Sequence, residues 1–173
     1  FILMGHSAGA HILGLVSSSI GAHKAMGGKS WLGTVLLDSA VLDVPSIMSS
    51  RHYGFYDDAF GKNSDFWVKA SPIHQLKSDA PPFLVACSAG RKGACSQANA
   101  FVAKANSIGV KASVISRDLS HKEMNESLGD NNDYTAKVEA FMAGLDSNAK
   151  AMISAQPVVV KEEPRKGLLQ RWR

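Results

Sequence analysis

The 173-residue chain has few cysteines, few aromatics and no long apolar run. Its two cysteines, Cys87 and Cys95, and its six histidines do not fall at metal-binding spacings, so no metal or other cofactor is expected. No stretch approaches the roughly 20 apolar residues of a membrane span, and no basic-then-apolar segment resembles a signal peptide. There is no strong membrane signal. Charge of one sign is also scarce once the net +4 is located. Residues 157–173 carry Lys161, Arg165, Lys166, Arg171 and Arg173 against Glu162 and Glu163; taking these five and two from 19 basic and 15 acidic residues leaves 14 and 13. A near-neutral body offers no electrostatic footprint for nucleic acid.

What is present is the composition of one globular domain, 45% hydrophobic and 20% charged, long enough to bury a core. There is no internal repeat. The chain opens on Phe1, inside an apolar strand, so a longer parent is expected, with its amino-terminal part as a partner of this piece.

Phe1-Ile-Leu-Met runs into Gly5-His6-Ser7-Ala8-Gly9, and Ala10 to Val16 has the pattern of a helix. Strand, sharp turn and helix form the context of a nucleophile elbow, with Ser7 at the tip. Gly5 and Gly9 are expected where a Cβ would clash. The helix that follows points unpaired N–H groups at the same spot, which makes the Ala8 N–H a candidate oxyanion donor.

The spacing predicts a helix from about Ala8 to Ala22 with Ile12, Leu15, Val16 and Ile20 on its apolar face. Residues 33–38 read as a buried parallel strand ending at Asp38. Residues 39–82 are long and irregular, rich in aromatics, and suit short helices; an insertion at about 44–80 is where a pocket or lid is built. Residues 83–87 form a third strand, 96–108 a helix capped by Ser96 and Gly109, 110–116 a fourth strand, and 134–145 a closing helix. This alternation predicts an α/β fold with a parallel, doubly covered sheet over residues 1–147. Residues 148–173 read as a flexible basic tail.

Ser7, Asp38, the loop after Cys87 and the loop 117–121 fall at the carboxyl ends of strands, where sites collect. A serine hydroxyl needs a base, usually a histidine held by a carboxylate. His121, directly after the fourth strand, is the base candidate; His6, His11, His23, His52 and His74 read as surface or packing histidines.

Four segments carry a resemblance: Gly5-His-Ser-Ala-Gly9-Ala-His-Ile, Ala59-Phe-Gly, Ala70-Ser-Pro-Ile-His-Gln-Leu, and Ser120-His-Lys-Glu-Met-Asn-Glu-Ser-Leu-Gly129. Together they resemble the carboxyl-terminal half of the α/β-hydrolase superfamily, in particular hormone-sensitive-lipase-like and arylformamidase-like esterases. The resemblance implies hydrolysis of a small-molecule ester or related acyl bond through an acyl-enzyme on Ser7, with His121 as base. An arylformamidase-type amidase and a non-catalytic hydrolase-like module are the alternatives. In this family the acid normally follows the third strand present here, yet residues 83–97 contain no Asp or Glu. Asp38 ends the preceding strand, and Leu37-Asp38-Ser39-Ala40 is similar to the acid segment of pancreatic-type lipases. Asp38 leads the candidates, with Asp118, Asp43 or no acid as the alternatives. A His-Gly-Gly-type loop for a second oxyanion donor is absent, so the piece by itself is expected to be inactive. Cys87 and Cys95 are either a disulfide, which would set the parent outside the reducing cytosol, or one buried and one loop thiol.

Overall fold

A computed structural model describes residues 1–155 of the chain. Four strands, β1 (Leu3–His6), β2 (Thr34–Leu37), β3 (Phe83–Ser88) and β4 (Ala112–Arg117), form one sheet in the order β1-β2-β3-β4, and every neighbouring pair is parallel. Parallel neighbours need crossovers, and the intervening segments supply them. α1 (Ala8–Ser17) and α2 (Ile20–Ala25) join β1 to β2, and α7 (Ala94–Ser107) joins β3 to β4. The β2–β3 connection holds α3 (Val44–Met48), α4 (Phe55–Phe60), α5 (Ser64–Lys69) and α6 (Pro72–Gln75), the short helices its irregular sequence predicts.

β2 and β3 are buried along their whole length. Period-two alternation divides their side chains between two cores. Leu36, Phe83 and Val85 meet Ala10 and Phe101 on the face covered by α1 and α7. Val35, Leu37, Leu84 and Ala86 meet Met124, Tyr134 and Val138 on the other face, from α8 (Glu123–Glu126) and α9 (Asp133–Ala143). The insertion has its own small core of Val41, Val44, Met48, Tyr56, Phe60 and Ala70.

Three expectations are corrected. The helix predicted to reach Ala22 breaks after Ser17, where the Ser18 hydroxyl bonds the carbonyls of Gly14 and Pro72 at 2.7 and 2.9 Å. Its buried face is also different: Ala10, Gly14 and Ser17 face inward, while Ile12 and Val16 are 59% and 42% exposed and Leu15 is half-buried; of the four apolar residues expected there, Ile20 alone is buried, and it belongs to α2. The reason is close packing, since a Cβ on Gly14 would already press on Leu36 and Pro72 at 3.3 Å. α7 begins at Ala94 after Gly93, whose φ of 83° makes the turn; Ser96 lies inside the helix and returns its hydroxyl to the Gly93 carbonyl. A last helix, α10 (Ser147–Ser154), overlaps the start of the tail expected from residue 148 and is capped by the Asp146 carboxylate on the N–H groups of Asn148 and Ala149. The remainder of that expected tail lies outside the described residues.

Cys87 and Cys95 form a disulfide, with Cα atoms 5.1 Å apart, closing the loop between β3 and α7. Among the described residues no helix is long and apolar enough to cross a membrane.

Candidate active site

β1 delivers Ser7 to the carboxyl edge of the sheet. Ser7 N–H bonds the Leu37 carbonyl at 2.9 Å, extending the β1–β2 ladder by one residue, and then φ turns to 57° as α1 begins. Positive φ costs a non-glycine residue about 1–2 kcal/mol. Such a cost is kept where the surrounding structure over-determines it, which is the mark of a functional turn. Gly5 is required here: a Cβ would lie 2.8 Å from the backbone of Gly9. Gly9 is not, because a Cβ there meets nothing within 4 Å among the described residues. The steric role expected of both glycines therefore belongs to Gly5. Ala8 opens α1 and is exposed, and its N–H lies in the first turn, where no carbonyl of the helix can reach it.

Asp38 follows β2 and is fully buried, with φ at 49°. Its N–H bonds the Ala86 carbonyl at 2.8 Å, and its Oδ1 accepts the Ser88 N–H at 2.8 Å, so two β3 residues fix backbone and carboxylate together. A buried carboxylate requires such donors.

His121 sits between these two side chains. Its Nε2 is 2.9 Å from Ser7 Oγ and its Nδ1 is 2.6 Å from Asp38 Oδ2. An ionised carboxylate only accepts, so Nδ1 carries the ring proton and Nε2 faces Ser7 as an acceptor. The loop that holds His121 is braced locally. Ser120 N–H bonds Glu123 Oε2 at 2.8 Å and Glu123 N–H bonds Ser120 Oγ at 3.2 Å, a reciprocal pair; hydrogen bonding from the Ser120 hydroxyl first, and then from its N–H, draws the Glu123 carboxylate below its ordinary range. Met124, fully buried, anchors the turn, and Tyr134 donates its hydroxyl to the Met124 carbonyl at 2.9 Å. Burial first, and then the Asp38 charge, push the Tyr134 phenol up to about 12.

The other acid candidates lie elsewhere. Asp43 caps α3 through Ser46 N–H and pairs with His74 at 3.3 Å, while Asp118 is exposed. Two neighbours of the site carry no signal in the sequence. His6 Nε2 bonds the His121 carbonyl at 2.8 Å and its ring lies 4.4 Å from the His121 ring; burial is the main cause that lowers the His6 pKa. Arg91, in the disulfide-closed loop, sets Nη1 3.2 Å from Asp38 Oδ2 and 3.1 Å from His121 Nδ1. Beside it lies a cavity of about 510 Å³ lined by Ala40, Tyr53, Tyr56 and Lys92 among others. No cluster of three or more His, Cys, Asp or Glu side chains is placed to hold a metal ion among the described residues.

No family model and no curated protein matches the chain. Solved structures do. Esterase B from Lactobacillus Rhamnosis superposes with a TM-score of 0.62 at 15% identity, over 89% of this chain and 54% of that one. A thermophilic esterase from Thermogutta terrifontis gives 0.58 at 14%, over 94% and 57%. An acetyl ester-xyloside bifunctional hydrolase from Caldicellulosiruptor lactoaceticus gives 0.53 at 18%, over 68% and 45%. The chain spans about half the length of these proteins, and what it shares with them is part of the α/β-hydrolase fold.

Proposed function

We propose that the chain carries the nucleophile, base and acid of a serine hydrolase that cleaves a carboxylic ester of a small or aromatic substrate. The observation that carries this reading is the continuous relay Ser7 Oγ, His121 Nε2, His121 Nδ1, Asp38 Oδ2, with links of 2.9 and 2.6 Å on a strained strand-to-helix turn. His121 takes the Ser7 proton as Oγ attacks the acyl carbonyl, and Asp38 holds the ring in the required tautomer and stabilises the imidazolium. The Ala8 N–H is aimed at the developing oxyanion; one such donor contributes about 10²–10³-fold in rate. Collapse of the tetrahedral intermediate expels the alcohol with the proton held by His121. Water, deprotonated by the same imidazole, then releases the acid and regenerates Ser7. A second oxyanion donor is expected from outside the described residues, so the full rate belongs to the intact protein.

The test is fluorophosphonate labelling and p-nitrophenyl acetate turnover by the intact protein. Ser7→Ala should lose both the label and the turnover. A label retained undiminished in Ser7→Ala sinks the reading. Parallel assays on an N-formyl anilide decide between ester and amide substrates.

A further inference from the structure

Buried Asp38 is contacted by a cation as well as by the histidine it is proposed to orient. A single atom, Arg91 Nη1, reaches three groups: the Asp38 carbonyl at 2.6 Å, Asp38 Oδ2 at 3.2 Å and His121 Nδ1 at 3.1 Å. The last contact is not a hydrogen bond in the working tautomer. Nδ1 already directs its proton at Oδ2 2.6 Å away, so it has no lone pair to offer, and Nη1 and Nδ1 approach because both donate to one oxygen. The two hydrogens of Nη1 therefore serve the backbone carbonyl and the carboxylate of the same residue.

We propose that Arg91 is a positioning residue for the catalytic acid: it clamps the Asp38 main chain to its own carboxylate, so that Oδ2 stays in line with His121. This rests on reading Ser7, His121 and Asp38 as a triad. Two features of the fold give the clamp its stiffness. Asp38 holds an unfavourable backbone, φ 49°, and the guanidinium ties down the carbonyl of that same residue. The Arg91 backbone is itself fixed, because the loop from β3 to α7 is closed by the Cys87–Cys95 disulfide and by Arg91 N–H on the Ser88 carbonyl and Ala94 N–H on the Arg91 carbonyl. Ser88, the last residue of β3 and inside the same disulfide-closed segment, supplies its N–H to Oδ1. Both carboxylate oxygens are thus held from one disulfide-closed turn that contains no carboxylate of its own.

Arg91 does not act by stabilising charge on the histidine. A guanidinium 3.1 Å from Nδ1 opposes the imidazolium that forms when Ser7 is deprotonated. Its benefit is geometric, and that separates it from a residue that binds substrate. Arg91 also borders the cavity of about 510 Å³, where a rival role is to receive an anionic group of the substrate.

The experiment is a double-mutant cycle in the intact protein, with kcat and KM read on p-nitrophenyl acetate and on an ester of a dicarboxylic acid monoanion. Arg91→Ala should lower kcat about 10²-fold, the scale of an ångström-sized misplacement, and leave both KM values nearly unchanged. Arg91→Lys should retain more activity than Arg91→Ala, since one nitrogen makes both contacts to Asp38. In an Asp38→Asn background the same Arg91→Ala change should cost almost nothing, because the clamp has no carboxylate left to hold. Equal losses in both backgrounds, or a KM rise confined to the anionic ester, overturn the proposal. A crippled Asp38→Asn beside an unaffected Arg91→Ala also sinks the positioning role while leaving the triad intact. A fully active Asp38→Asn removes the triad reading and Arg91's part with it. Urea midpoints confirm folding, and if Arg91→Ala does not fold, the cycle is run with Arg91→Lys, where additive losses give the same refutation.

Discussion

Asp38 combines three costs at one residue: a buried charge, a positive φ and donors recruited from a distant loop. Ser88 N–H, Arg91 and His121 together satisfy the carboxylate, and the proposed role predicts a graded result. Asp38→Asn keeps the shape but presents an amide to Nδ1, and loss of the correct tautomer lowers kcat by about 10⁴-fold, the loss known for the serine-protease triad. Asp118→Asn, at an exposed position, should stay within a few-fold of the parent. Steady-state kinetics on the two variants decide; the reverse ranking removes Asp38 from the site. How legible such residues are in a sequence depends on the distance to their partners. Ser7 carries its own signature in the flanking glycine and helix, and His121 is marked by following the last strand. Asp38 is marked by ending a buried apolar run, and no more, a mark too weak to separate it from Asp43 and Asp118. Arg91 and His6 were invisible, since their partners lie 53 and 115 residues away and no local pattern encodes them.

At the scale of elements, the elbow is a contact between β1 and α1 rather than a property of five residues. Gly5→Ala introduces a Cβ 2.8 Å from the Gly9 backbone and 2.9 Å from Leu13, so strand and helix must separate. Overpacking of this kind costs about 1–3 kcal/mol. The same shift displaces Ser7 from His121, so turnover should fall together with stability. Gly9→Ala faces open space and gains helix propensity, so its urea midpoint should equal or exceed that of the parent. If both changes destabilise equally, the glycines act through backbone freedom and not through contact. The elements themselves were legible where the pattern was long: all four strands and the helices over 94–107 and 133–143 follow from apolar runs and turn residues. The apolar face of α1 was not. Ile12 and Val16 dominate any hydrophobic count, but the helix lies so close to the sheet that Ala10, Gly14 and Ser17 are its buried residues, with Leu13 partly buried beside them. Small residues at a tight contact give almost no hydrophobic signal, and periodicity then selects the wrong face.

For the whole molecule, the consequence of that reversal is an unfinished surface around β1. In a parallel sheet the strands read as apolar on both faces because both are covered. β2 and β3 meet that description. β1 does not: Met4 is 37% exposed, and no strand pairs with its outer edge among the described residues. Ile12, Val16 and Leu32 are exposed by 59%, 42% and 39%, and Phe1 by 93%. An open strand edge with exposed apolar neighbours is a template for pairing with another chain. A protein confined to residues 1–173 is therefore expected to bind an apolar dye and to associate with rising concentration. Light scattering behind size exclusion, over a hundredfold concentration range, checks this. The double change Ile12→Lys and Val16→Lys touches only exposed side chains of α1, so it should shift the population toward monomer without lowering the urea midpoint. A monomer at every concentration, unaltered by the two lysines, would mean that the β1 edge is not adhesive and that its exposed residues need no cover.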